Sequence, residues 1–229
     1  MRIHSYPSIY NFGHKAVNEI FFDSVIVQEK IDGSQISFGR YIGSEVGWDT
    51  CVRSKGAEVH FGSSSMFDKA LLTIQSIQSK LPLDWTFRGE YLMRPKHNVI
   101  AYNNTPPGHI VLYDIETTPT NFLEWPEVLS WADQLGLGFA PVLFDGIKDS
   151  GFTTIWLDEF LKHKSILGGV KVEGVVIKNY SRWGPDKHPL MAKWVSPEFK
   201  EVHNKEWKKE HPSGGDIIQD LTLSLRTEA

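Results

Sequence analysis

The chain has 229 residues, a formal net charge of −4 and a single cysteine, Cys51. Its 41% hydrophobic and 23% charged residues are ordinary for a globular protein, which excludes fibrous and wholly disordered classes. One cysteine excludes a disulfide framework and a cysteine-based zinc site. A nucleic-acid partner would need local basic patches, because the overall field does not attract phosphate.

The length suits one large domain or a tight pair. No apolar run approaches bilayer length, and the first residues carry no signal-peptide core. No membrane partner and a cytoplasmic location are therefore expected. No repeat of solenoid or propeller period is visible.

Residues 1–24 show little pattern, although Phe21-Phe22 is expected to pack under the first strand. A strand at 25–31 runs into Asp32-Gly33, a strong hairpin signal, and another follows at 35–41. With a third strand at 48–53 this reads as an antiparallel meander. A helix is predicted over 66–80, capped by Ser65, with Phe67, Ala70, Leu71, Ile74 and Ile77 at helical spacing. A strand at 85–92 leads into a turn-rich connection, then a strand at 110–116. A helix at 126–135 has Pro126 in its first turn and Gly136 past its end. A short strand at 139–144, a helix near 155–167 and strands at 172–178 and 190–195 follow. After Pro197 a charged helix to about 210 and a short tail are predicted. The order indicates α+β with mainly antiparallel sheets flanked by helices.

Four of these strands are apolar in the middle and charged at one end. They carry Lys30 with Asp32, Glu90, Asp114 with Glu116, and Glu173 with Lys178. Charges facing water explain one such strand; four are better explained by a shared cleft, since buried charge is costly unless paired or used. A free lysine is protonated at neutral pH and cannot attack. Desolvation or a neighbouring cation lowers its pKa. Lys178, Lys193, Arg53 or a divalent metal held through water by the carboxylates could supply that potential beside Lys30. Attack on phosphorus fits this setting, and a Schiff base remains open for the same residue.

Lys30-Ile31-Asp32-Gly33 alone is a weak signal, expected by chance in roughly one chain of this size in twenty. It is followed in order by Arg53-Ser54-Lys55-Gly56, Arg88-Gly89-Glu90-Tyr91, Tyr113-Asp114-Ile115-Glu116, Glu173-Gly174-Val175-Val176-Ile177-Lys178 and Ala192-Lys193-Trp194. In this series the chain resembles the covalent nucleotidyltransferases, the superfamily of ATP-dependent ligases and mRNA capping enzymes, over residues 25–201. Ser34-Gln35, and the run from Gly89 to Asn98 continuing through Tyr102, resemble the RNA ligase 2 branch, which includes the editing ligases.

The resemblance implies a nucleotidyltransferase fold with a central nucleotide cleft over residues 1–205. The 206–229 tail is too short for an OB-fold. It implies an ATP-dependent RNA ligase in which Lys30 forms lysyl-AMP, AMP passes to a 5′-phosphate end, and a 3′-hydroxyl attacks. Glu29 would lie by the adenine edge, Arg53 by ribose or the incoming strand, and Glu90 by a ribose hydroxyl. Tyr113 would stack on adenine, and Lys178 and Lys193 would hold the α-phosphate. Glu173 would organise Mg2+ or Mn2+, with Asp32 as a second contact through water. The expected partner is RNA with 5′-phosphate and 3′-hydroxyl ends, with an end-healing kinase or phosphatase upstream; the chain is expected to be a monomer. The branch pattern has a second lysine where this chain has Val195, so either Lys193 works alone or the motif is displaced by two. Glu173 and Lys178 are five apart, which on a regular strand puts them on opposite faces. A small DNA ligase and a non-catalytic nucleic-acid-binding module are the alternatives.

Other signals are weaker. No GxxxxGK[ST] loop is present. Gly136-Leu137-Gly138 follows a helix and reads as a turn. His97 lies in a basic loop and is either a nucleic-acid contact or a solvated histidine. Trp85, Trp125, Trp131 and Trp156 are read as core residues. Basic clusters such as Arg94/Lys96 and Arg182/Lys187 could track a phosphate backbone.

Overall fold

A computed structural model describes residues 3–43, 47–62, 66–148, 151 and 153–199. The chain divides into a body, Met1–Trp194, and a segment, Val195–Ala229. The expected boundary at 205/206, the helix beyond 199 and the Ser65 cap lie outside the described residues.

In chain order the strands are β1 (Tyr10–Asn11), β2 (Val25–Lys30), β3 (Ser34–Ile42), β4 (Trp48–Ser54), β5 (Thr86–Tyr91), β6 (Ile110–Thr118), β7 (Asn121–Phe122), β8 (Gly138–Phe139), β9 (Val142–Gly146), β10 (Gly174–Trp183) and β11 (Pro189–Val195). The helices are α1 (Asp68–Ile77), α2 (Trp125–Leu135) and α3 (Thr153–Phe160). One sheet has the order β1-β11-β10-β2-β9. The other has β4-β3-β5-β6-β7, with β8 beside β6. The β1–β11 and β6–β8 pairs are parallel and the other registered pairs antiparallel, so the α+β, mainly antiparallel architecture stands.

The meander expectation fails at its first turn. β2 is buried at every residue except Lys30, and both its edges are taken, by β10 on one side and β9 on the other. No edge is left for β3, which pairs with β4 and β5 in the other sheet. Asp32-Gly33 is therefore a crossing between sheets and not a hairpin. Gly33 has no positive φ. It is needed because an added Cβ would lie 2.5 Å from the Tyr91 carbonyl oxygen and 2.8 Å from Glu90 Cγ.

Each sheet packs on its own core. Ala70, Leu71, Ile74 and Ile77 of α1 and Val128, Ala132 and Leu135 of α2 cover Ile36, Phe38, Phe87 and Ile115. Val25, Val27, Val175 and Ile177 pack with Leu157 and Phe160 of α3. Trp85, Trp125, Trp131 and Trp156 pack against these cores, as expected. Helix α2 begins with a capping box between Glu124 and Glu127 and ends at left-handed Gly136 (φ 67°). Helix α3 ends at Phe160, short of the expected 167. Residues 165–170 fold back, with the Ser165 N–H donating to the Val170 carbonyl (2.9 Å). Phe21 packs as expected, whereas Phe22 is exposed beneath the Arg182 guanidinium. Among the described residues no helix is long and apolar enough to cross a membrane.

Candidate active site

Alternation along β2 sends Val25 and Val27 into the core and Gln28 and Lys30 the other way, toward the second sheet. Lys30 is the last residue of the strand, and its side chain is 28% exposed. Its ammonium donates to Glu173 Oε1 at 2.5 Å. Glu173 is buried at a bend just before β10 begins at Gly174, which pairs with Lys30. The expected parity conflict disappears there: Glu173 precedes the regular strand, so the alternation that governs Lys178 does not govern it.

Burial alone would depress the Lys30 pKa. The charge and hydrogen bond of Glu173, with Glu90 and Asp32 nearby, outweigh burial and leave it above its ordinary value. Burial raises Glu173 as well, against the pull of Lys30. Glu90 is pushed up to about 8, chiefly by burial. The Lys193 charge acts on Glu173, so Lys193 lies by this cluster.

Asp32 is committed elsewhere. Its Oδ2 accepts from the backbone N–H groups of Val99 (2.8 Å) and Ile100 (2.7 Å), and its Oδ1 accepts from Asn98 (3.3 Å). The Tyr102 hydroxyl accepts from its N–H (2.8 Å). The carboxylate pins the 98–100 loop behind the lysine turn. His97 is also structural. Its Nδ1 accepts from the Met93 N–H (3.1 Å), which leaves Nε2 to donate to Ser34 Oγ (2.9 Å).

A second cluster lies along β6. Arg88 pairs with Asp114 and Gly89 with Leu112, so Tyr113 is an extra residue in a bulge. The bulge turns both Tyr113 and Asp114 toward the first sheet. Lys178, 2% exposed, donates to Asp114 Oδ2 (2.9 Å) and the Tyr113 carbonyl (3.1 Å), with its nitrogen over the Tyr113 ring. Tyr6 and Tyr180 also donate to Asp114. Burial lowers the Lys178 pKa while Asp114 opposes the shift. Lys178 is thus bound to Asp114 and does not stand beside Lys30, contrary to expectation. Gln35 Nε2 donates to the Tyr113 hydroxyl (3.1 Å) and fixes the ring.

Arg53 donates to the Ile3 carbonyl and to Ser5 Oγ, both at 3.0 Å, so its guanidinium holds the N-terminal segment. Glu29 alternates away from Lys30, and its Oε2 accepts from the Ile166 N–H (3.0 Å). Sequence reasoning missed Tyr6, Gln28 and Tyr180. Tyr180 was findable, two places past Lys178 on the same strand face. Tyr6 reaches Asp114 across 108 positions and leaves no local signal.

A comparison with protein families matches residues 23–195 to the RNA ligase family. The chain belongs to that family. No curated protein matches the sequence. Among solved structures, this RNA-ligase-family chain is similar to the Naegleria gruberi RNA ligase with PPi, at a TM-score of 0.62 and 17% identity. That match covers 89% of this chain and 59% of the other. A variant of the same enzyme with ATP and Mn gives 0.64 and 16%, over 89% of this chain and 59% of that one. Another, with AMP and Mn, gives 0.58 and 16% over the same shares, 89% and 59%. At these identities the likeness is one of fold, and this chain spans less than two thirds of the Naegleria enzyme.

The Naegleria variants named above are with Mn. Among the described residues no group of three His, Cys, Asp or Glu side chains could hold a metal ion. Glu173 Oε2, however, is buried without a hydrogen-bond partner. That fits an ion such as magnesium, which takes one or two carboxylates and completes its shell with water and substrate phosphates.

Proposed function

We propose that the chain is an ATP-dependent RNA ligase that carries AMP on Lys30. The observation that supports this best is the Lys30–Glu173 contact at 2.5 Å, placed where the chain crosses between sheets. Lys30 Nζ must shed a proton before it attacks. Glu173 is the nearest acceptor, and its raised pKa suits it to take that proton. The amine then bonds to the α-phosphorus of ATP while the bond to the β-phosphate oxygen breaks and pyrophosphate leaves. Lys193 steadies the α-phosphate. A divalent ion at Glu173, Mg2+ or Mn2+, would neutralise phosphate charge.

Tyr113 offers its ring to adenine. Lys178 and Asp114 hold the backbone beneath that ring and do not touch phosphate. Protonated at neutral pH, Glu90 can donate to a ribose hydroxyl. AMP then passes to the 5′-phosphate of an RNA end, and the 3′-hydroxyl of the other end displaces it. Such ends are supplied by a kinase or phosphatase class of reaction.

The test is incubation with ATP labelled at the α-phosphate, with magnesium and then manganese. A covalent label on the wild type that is absent from Lys30→Ala is expected. A wild type that stays unlabelled with both metals overturns the reading.

A further inference from the structure

We propose that Lys164 and Lys171 clamp the RNA phosphate backbone beside the join; this rests on the RNA-ligase reading above. The two lysines face each other across an isolated antiparallel bridge. The residues on either side make the backbone bonds, from the Val172 N–H to the His163 carbonyl (3.1 Å) and from the Ser165 N–H to the Val170 carbonyl (2.9 Å). Lys164 and Lys171 are therefore the close pair of that pattern, with Cα atoms about 4.5 Å apart and side chains on one face. Both are exposed, and among the described residues neither ammonium has a hydrogen-bond or ion-pair partner. The carboxylates of adjoining segments are taken. Glu159 pairs with Lys162 and Glu173 with Lys30, while Glu29 is buried and accepts from the Ile166 N–H.

Like charges directly opposite each other destabilise a β pair. Here a braced turn keeps them together. Gly168 and Gly169 turn the chain with left-handed φ of 75° and 86°. Leu167 is buried in a core with Ile31 and Tyr102. The carbonyls of Leu167 and Gly168 accept from the N–H groups of Asn104 (3.1 Å) and Asn103 (3.2 Å). Two positive charges held side by side without a counter-ion suit an anion that bridges them. Their place in the chain says which anion. Lys171 stands two residues before Glu173, at most about 7 Å away along the chain. Glu173 in turn contacts Lys30. A polyanion that reaches Lys30 from this side passes both ammonium groups. The protein's net charge of −4 does not draw RNA in, so the attraction has to be local.

The experiment measures affinity for an RNA with 5′-phosphate and 3′-hydroxyl ends between about 50 and about 200 mM salt. Lys164→Gln combined with Lys171→Gln removes two phosphate contacts and should reduce the slope of log affinity against log salt by about 1.4–1.8. The affinity lost should accordingly be about 7- to 12-fold greater at the low salt than at the high. Lys164→Arg combined with Lys171→Arg keeps both charges and should keep the wild-type slope. The glutamine variant should label Lys30 with ATP at the wild-type rate and melt no lower than wild type, because a repulsion is gone. A pair that merely shaped the turn would lower the melting temperature. An unchanged salt slope overturns the clamp. So does a raised KM for ATP in labelling with RNA binding intact, which would assign the pair to the triphosphate. RNA binding is read on unlabelled protein. A wild type that takes no label therefore overturns the ligase reading, while the salt slope still decides the clamp.

Discussion

Replacing Asp114 by leucine should be among the most damaging single changes in this protein. Asp114 is 1% exposed and accepts from Lys178, Tyr6 and Tyr180. Its loss strands a buried ammonium that keeps only the Tyr113 carbonyl among its hydrogen-bond partners. Breaking a buried pair from one side costs about 3–5 kcal/mol. At about 2–4 °C per kcal/mol for a domain of this size, the Tm should fall by about 6–20 °C. Lys178→Met leaves Asp114 its two phenol donors, so it belongs at the low end, about 3 kcal/mol. The double variant removes both charges and leaves only two hydroxyls without their acceptor, about 1 kcal/mol each. It should cost about 2 kcal/mol, less than either single change. Thermal and urea unfolding of the four proteins measures the coupling. Additivity within about 0.5 kcal/mol would refute the pairing. A Lys178→Met protein as stable as wild type but unable to label Lys30 would return Lys178 to the phosphate.

Three further outcomes follow from the geometry. Glu90 holds its proton to about pH 8 in the folded state against a usual value near 4.5, so the native state binds more protons between those values. Its contribution to stability is therefore full below about pH 4.5 and declines as pH rises toward 8; Glu90→Gln should flatten that slope in a Tm-versus-pH series, and an unchanged slope would count against it. Glu173→Gln should slow Lys30 labelling at neutral pH by about 100- to 10,000-fold and should recover in part as pH rises, since solvent then deprotonates the lysine. A loss independent of pH would show that Glu173 is not the proton acceptor. Gly33→Ala drives a Cβ against the Tyr91 carbonyl at 2.5 Å and should destabilise by about 1–3 kcal/mol in chemical denaturation; a neutral result would mean the crossing is looser than its packing implies.

Much of the strand and helix pattern was legible because burial imposes a period of two or 3.6 on the sequence. Ala70, Leu71, Ile74 and Ile77 all face the core, as their spacing required. The position of Lys30 was legible too, because a charged residue ends an otherwise buried strand. Strand partners were not: Asp32-Gly33 has the same local chemistry whether it closes a hairpin or crosses between sheets, and only the full occupation of both edges of β2 decides it. The roles of Arg53, Asp32 and Lys178 were hidden for a related reason. Each is set by a partner many positions distant, such as Ile3, Val99 or Asp114, and no local pattern records it.

The extra residue in β6 separates two properties of this protein. Hydrogen bonding between β5 and β6 uses the residues on either side of Tyr113 and skips Tyr113 itself. A chain shortened by that one codon would keep a continuous ladder between β5 and β6, but would take the Tyr113 carbonyl away from Lys178 and Gln28. It would lose the ring on which the base is proposed to rest. Strand pairing and recognition are therefore carried by different residues of β6, and the residue proposed to carry recognition also anchors the buried Lys178 through its carbonyl.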